Sequence, residues 1–339
     1  MHLRSISGYA RELKPLLPPG SFAPAPLRLL WLPVHAAVIA VSIWLLARGV
    51  TWPALPLLSL PIGASFAGLT FLAHEALHGA VVRGRATRRF IGWLGFLPFA
   101  VSPRLWEAWH NREHHNHTND PSRDPDAYPT LEQYRQSAGV RASTELALGR
   151  KRLRGLVSLL VGFSVQSTHQ LLDARSRRML SPREHLKALF ESALAVALWV
   201  GLAFAVGPAV FVFAFVLPLV LANSIIMSMI LTNHSLSPHT SENDPLVNSL
   251  TVTGPRWFEL VTLGFGFHVE HHLFPAMSGR HAARLSQLLK ERFPERYQAV
   301  PLPKALRALY RSPRVYDTPT TLVDPQTGER WQTLTPKPA

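Results

Sequence analysis

Four stretches of this chain, residues 29–47, 53–73, 189–206 and 209–231, are nearly free of charge and close to the length that crosses a bilayer. A helix rises about 1.5 Å per residue, so roughly 20 apolar residues cover the ~30 Å hydrocarbon core. A soluble helix buried on every side has the same composition, but four such segments in one chain of 339 residues favour a membrane. Only Gly207 and Pro208 separate the last two segments, which read as a tight helical hairpin. Residues 92–101 and 156–165 are apolar but only about half the needed length, and read as interfacial or re-entrant.

Lys and Arg number 35 against 21 Asp and Glu, a formal charge of +14 that would fit nucleic acid, anionic lipid or an acidic substrate. Placement decides between these. Eighteen of the 35 cations lie between the second and third apolar segments, Arg48 alone lies between the first two, and none lies between the last two. Cytoplasmic flanks are enriched in Lys and Arg, so both termini and segments 74–188 and 232–311 are expected in the cytoplasm. The charge then records membrane orientation, and nucleic acid is not an expected partner. The first apolar run starts late and another follows closely, so it reads as a retained anchor rather than a secretory signal. The expected architecture is an all-α membrane protein: four transmembrane helices in two hairpins, with a cytoplasmic helical cap carrying a histidine-rich di-metal site. Residues 1–311 form one domain in this scheme, and the Pro- and Thr-rich residues 312–339 an irregular tail.

The chain has no cysteine, which excludes disulfide frameworks, thiolate zinc sites, cysteine nucleophiles and Cys-ligated iron–sulfur clusters. It has 16 histidines, half of them in three short boxes: His74-Glu-Ala-Leu-His78, His110-Asn-Arg-Glu-His114-His115 and His268-Val-Glu-His271-His272. Residues three or four apart share a helix face. His74 can therefore pair with His78, His110 with His114, and His268 with His271 and His272, while His115 points about 100° from His114 toward a neighbouring metal. Imidazole suits zinc, copper, iron and nickel. His234, at the cytoplasmic end of the fourth segment, is a ninth candidate ligand, and all nine can converge beneath one membrane face where a lipid substrate would reach them.

Taken alone, His74-Glu75-Ala76-Leu77-His78 is also the zinc-protease pattern of two ligands around a glutamate base. One zinc needs three protein ligands, and that alternative leaves the other clustered histidines without a role. A metal transporter or sensor would set ionisable groups along its spans near the midplane, and these spans are nearly bare.

The order and spacing HxxxH, HxxxHH, HxxHH around paired apolar segments resembles the integral-membrane fatty acid desaturases and related hydroxylases. The flanking text is similar too: His115-Asn-His-Thr-Asn-Asp, Asp124-Pro-Asp126 and His272-Leu-Phe-Pro275. The resemblance spans residues 29–290, and the middle box looks more like the acyl-lipid branch. It implies two iron ions (Fe2+/Fe3+) held by His74, His78, His110, His114, His115, His234, His268, His271 and His272, with O2 as co-substrate. It also implies a fatty acyl lipid or thioester substrate and two electrons from a separate donor such as a ferredoxin, or a cytochrome with its reductase. The sequence lacks a His-Pro-Gly-Gly haem segment, a GxGxxG and a Walker pattern, so no fused cytochrome and no organic cofactor site are expected. Hydroxylation or ketolation of an alkyl chain, sterol or carotenoid is the alternative, because it can share the first hydrogen abstraction.

Glu75, Glu113 and Glu270 within the boxes, and Asn119, Asp120, Asp124 and Asp126 after the middle one, are candidates to accept a hydrogen bond from a ligand imidazole. Trp106, Trp109, Phe265 and Phe267 are candidates to line an acyl tunnel. His117 reads as a neighbour of the site, His35 as a lining group of the bundle, and His2, His169, His185, His239 and His281 as non-ligands. Arg greatly outnumbers Lys, which suggests a GC-rich genome and a bacterial inner membrane.

Overall fold

A computed structural model describes residues 3–335. His2 and the last four residues of the expected tail lie outside the described residues. The chain is mostly helical and divides into two compact units. One holds residues 24–109 and 160–226, the other residues 3–23, 110–159 and 227–335.

Most of the apolar helical length belongs to the first of these, here the span unit. Its helices run Pro26–Ala47, Ala54–Leu77, Pro182–Val206 and Pro208–His234, the last continuing into the second unit. Their apolar windows are 17%, 61%, 11% and 33% buried, so that three of the four, all but Ala54–Leu77, lie largely uncovered. Helices that are apolar all round yet largely uncovered by protein need lipid as their solvent, which removes the buried-soluble-helix alternative.

Two boundaries differ most from those read off hydropathy. The third span starts at Pro182 rather than 189, because Ser181 caps it by accepting from the Glu184 N–H and Pro182 occupies the first helical position. The second span runs unbroken to Leu77, so His74 lies inside the helix rather than after it. Gly68 lets the first two spans meet, since a Cβ there would sit 2.4 Å from His35 Nε2. Arg28 pairs with Glu75 at 3.2 Å and the Ala25 N–H donates to Ala80 O at 2.9 Å, so the entry of the first span lies beside the exit of the second. Residues 92–101 are not one apolar piece but the end of helix Arg85–Gly95 followed by a tight turn, Leu97–Phe99.

The second, site-bearing unit has its own core. Helix Ile6–Leu13 packs Tyr9 and Leu13 against Val269 and Leu273 of the third-box helix His268–Leu273, and Leu285 and Leu289 of helix Ala282–Arg292 complete it. Short parallel strands β1 (Thr251–Thr253) and β2 (Ala299–Pro301) pair beside this core.

Residues 312–335 are not an irregular tail. Strands β3 (Val315–Thr318), β4 (Thr321–Val323) and β5 (Arg330–Gln332) form an antiparallel sheet. Arg314 is buried, and its guanidinium donates to the carbonyls of Leu148, Ser235, Leu309 and Ser312. Tyr316 Oη donates to Ser237 O at 2.6 Å, and His239 stacks on the Tyr316 ring at 3.5 Å. Strands of three or four residues carry too little alternation to stand out in a Pro- and Thr-rich sequence; long-range pairing specifies them.

Candidate metal centre

The middle box does not sit on an α-helix. Residues Glu107–His114 form a π-helix, in which hydrogen bonds run from i to i+5. The wider turn changes which imidazoles meet. His110 Nε2 lies 3.2 Å from His115 Nε2, five residues on, and His115 Nε2 lies 3.1 Å from His271 Nε2. His114 turns instead to His234, His268 and His272, and the four offer ring nitrogens all within 4.8 Å of one another. The expected pairing of His268 with both His271 and His272 is thus divided between two sets, while His110 and His114 still offer nitrogens within 4.8 Å of one another, together with Asp126. Each of the two boxes contributes to two sets: His110, His115 and His271 in one, His114, His234, His268 and His272 in the other. His234 stands in the fully buried set, with its Nε2 2.7 Å from that of His268.

Outer hydrogen bonds fix which nitrogen faces inward. His114 Nδ1 lies 3.0 Å from Asp124 Oδ1 and 3.1 Å from Oδ2. Thr118 Oγ1 donates to His114 O at 2.8 Å, so its lone pair accepts from His272 Nδ1 at 3.2 Å. His234 Nδ1 donates to Asn248 O at 3.4 Å. A proton held on Nδ1 leaves the Nε2 lone pair free. Three lone pairs then converge in one buried place, where they repel one another unless a cation lies between them. The residues present therefore fit a metal ion, and an all-nitrogen donor set suits iron, zinc or copper.

Electrostatics agrees for His272 and acts the other way on His114. Burial and the neighbouring imidazoles push His272 well below its usual pKa, so it is a neutral donor near pH 7. Burial opposes charge on His114 as well, but Asp124 and Asp126 outweigh it and hold that imidazole above its usual value. Burial would raise Asp124; His114, with the N–H groups of Asn119 (2.8 Å) and Asp126 (3.0 Å), holds it down instead.

Asn119 makes this loop possible. It adopts φ 57°, a left-handed conformation that Asn tolerates better than most residues. Its Nδ2 donates to His234 O, Pro238 O and Asn248 O at 3.1 to 3.3 Å, tying the middle-box loop to the end of the fourth span.

The third box is held by a buried carboxylate. Glu270 accepts from Thr251 Oγ1 at 2.6 Å and from Tyr297 Oη, and burial raises its pKa. It anchors the box helix to β1 rather than meeting an imidazole. Backbone packing does the rest: Val252 N–H donates to Gly266 O at 2.8 Å, and a Cβ on Gly266 would sit 2.3 Å from Val252 O.

His74 and His78 of the first box belong to the span unit. They lie one turn apart with ring centres 4.8 Å apart, and His74 packs edge-on against Trp106. Glu75, a hydrolytic base in the protease alternative, forms the ion pair with Arg28 instead.

Of the acidic candidates after the middle box, Asp124 meets His114, while Asp120 accepts from the N–H and Oγ of Ser122 and caps a turn. Glu113 is half-buried beside His114. Trp106 and Trp109 belong to an aromatic core with Phe163, and Trp106 also meets Phe96. Phe265 lies 5.2 Å from His268, and Phe267 is half-buried at the start of the third-box helix. Among the described residues, His35, His117, His169, His185, His239 and His281 belong to neither set. Thr118 and Asn248 were not foreseen. Thr118, four residues after His114 on the same turn, left a spacing signal; Asn248 left none.

Fold and site together define a helical membrane protein with a multi-histidine metal-binding centre. The chain belongs to the fatty acid desaturase family, whose model matches residues 50–302. It is similar to an omega-6 fatty acid desaturase of the chloroplast of Spinacia oleracea, 24% identical over 266 residues, covering 76% of this chain and 58% of that protein. It is also similar to an acyl-lipid (7-3)-desaturase of Diacronema lutheri, 38% identical over 133 residues, covering 35% of this chain and 27% of that protein. The chain thus spans about half the length, or less, of these curated relatives.

Proposed function

We propose that this protein is a membrane oxidoreductase that introduces a double bond into a fatty acyl chain, lipid-linked or a thioester. The observation that carries this is the pair of interleaved imidazole sets in a chain of the fatty acid desaturase family. His114, His234, His268 and His272 would hold one iron ion and His110, His115 and His271 would serve the other; the resemblance to the family assigns His74 and His78 of the first box as further ligands. Two irons with O2 and two electrons supply an oxidising power that no side chain has, enough to take hydrogen from an unactivated methylene.

The protein's own part is positioning and exclusion of water. Asp124, Thr118 and Asn248 keep protons on the outer nitrogens of His114, His272 and His234, so that the inner ones remain donors. Phe265, whose ring lies 5.2 Å from that of His268, is the candidate to contact the acyl chain. The electrons come from a separate ferredoxin or a cytochrome with its reductase. Both termini and the histidine boxes lie on the cytoplasmic face, in a bacterial inner membrane.

The test is expression in a host of simple fatty acid profile, with lipid mass spectrometry and metal analysis of the purified protein. The expected result is a new unsaturated acid that is absent with His114→Ala, and iron in the protein. A hydroxylated or ketolated product would move the reading to that chemistry. One zinc without iron, with the box histidines individually dispensable, would overturn it.

A further inference from the structure

Helix Val157–Asp173 is inside out. Its covered face is polar: the Ser164 N–H donates to Asn223 Oδ1 at 3.1 Å, Asn223 Nδ2 donates to Ser164 Oγ at 3.0 Å, and Ser167 and Gln170 are buried. Phe163 is its one buried aromatic, edge-on to Phe99 at 4.9 Å. The opposite face exposes Leu160, Val161, Val165 and Leu172, with Val165 at 61% and Leu172 at 67%, and Leu153 just ahead of the helix is 74% exposed. A helix facing water shows the reverse pattern, and a continuous exposed apolar stripe has a partner.

The flanking charges say which partner. Arg150, Lys151, Arg152 and Arg154 precede the helix and outnumber Glu145 and Asp324, the carboxylates with which the three arginines pair. Arg175, Arg177 and Arg178 follow it, all exposed, against Asp173 alone. Cations at both ends favour lipid phosphates at both ends. A fifth crossing would carry one of these basic clusters to the far side, against the asymmetry of every other loop. A helix of 17 residues, about 26 Å long, with an apolar stripe and basic ends instead suits the plane of one leaflet.

We propose that Val157–Asp173 is an in-plane membrane helix outside the four spans, with Leu160, Val161, Val165 and Leu172 among the acyl chains of one leaflet and its flanking cations on that leaflet's phosphates. The polar face against Asn223 then fastens the fourth span to the interface.

The chain has no cysteine, so each variant below carries a single thiol. Val165→Cys, and Leu172→Cys as a second position, are labelled with an environment-sensitive fluorophore on the full-length protein in phosphatidylcholine and phosphatidylglycerol vesicles. The expected result is blue-shifted emission, quenched by lipid bearing a nitroxide high on its acyl chain and shielded from aqueous iodide. Lys151→Cys and Arg175→Cys are expected to react with an impermeant maleimide from the same side. Iodide quenching of both stripe labels, or maleimide reaction of the two flanks from opposite sides, would overturn the proposal. So would stripe labels that stay shielded in detergent while Val165→Cys forms disulfide-linked dimers, which would identify a second copy of the chain as the partner.

Discussion

Replacing Asp124 by Asn tests the outer shell of the metal centre without changing its volume. The carboxylate accepts from His114 Nδ1, from the Asn119 N–H at 2.8 Å on Oδ2 and from the Asp126 N–H at 3.0 Å on Oδ1. An amide offers an acceptor on one side only, so in either orientation its NH2 faces a buried N–H that loses its partner. That costs about 1–3 kcal/mol, and the charge-assisted bond to His114 is lost besides. Carboxylate partners of metal-bound imidazoles are worth about 10–100-fold in metal affinity, or roughly 1.4–2.7 kcal/mol. Asp124→Asn is therefore expected to fold, to melt earlier, and to lose metal first from the set containing His114. Metal titration in detergent, with thermal unfolding of the apo and loaded forms, reads each part separately. Asp120→Asn is the control, since Asp120 serves only a turn at Ser122. Unchanged metal affinity and melting temperature in Asp124→Asn, or an equal loss in Asp120→Asn, would refute the reasoning.

Arg314→Leu takes a donor from the buried carbonyls of Leu148, Ser235 and Leu309, while Ser312 O keeps the Arg150 N–H, and is expected to cost about 3 kcal/mol, seen as a lower melting temperature; an unchanged value would show that the C-terminal sheet is not integral to the fold. Gly266→Ala forces a Cβ against Val252 O, and is expected to separate the third box from β1 and to reduce metal content as well as stability, by about 1–3 kcal/mol; full metal loading would count against it. His239, stacked under Tyr316, is held down to about 4 by burial, so below pH 6.5 the unfolded chain takes a proton that the folded one refuses. Stability is thus expected to fall between about pH 6.5 and 4, by about 3 kcal/mol in all, and His239→Phe should flatten that part of a melting-versus-pH curve. Chelation of the metals at neutral pH is expected to lower the melting temperature of the wild-type protein more than that of His272→Ala, measured by the same scan.

The four spans and the three boxes were legible in the sequence because each rests on local chemistry: bilayer-length apolar runs, and imidazoles a few residues apart. His234 was legible as a position, at the end of a span. Helix starts were less so, because Ser181 and Pro182, rather than the end of the charged residues, set where the third span begins.

Membrane character, histidine as the donor type and the identity of the three boxes were thus determined by sequence alone. How the middle and third boxes share their ligands was decided only in three dimensions. The π-helical turn at Glu107–His114 pairs His110 with His115, and the loop held by Asn119 selects Asp124 among the acidic candidates to meet His114. Spacing along an assumed α-helix fixes directions to within a turn. One extra residue in that turn rotates every later imidazole, and only the surrounding packing makes the wider turn worth its strain. The C-terminal sheet follows the same rule, because strands this short gain their stability from Arg314 and Tyr316 binding carbonyls some 80 to 170 residues away, a pairing that no local pattern encodes.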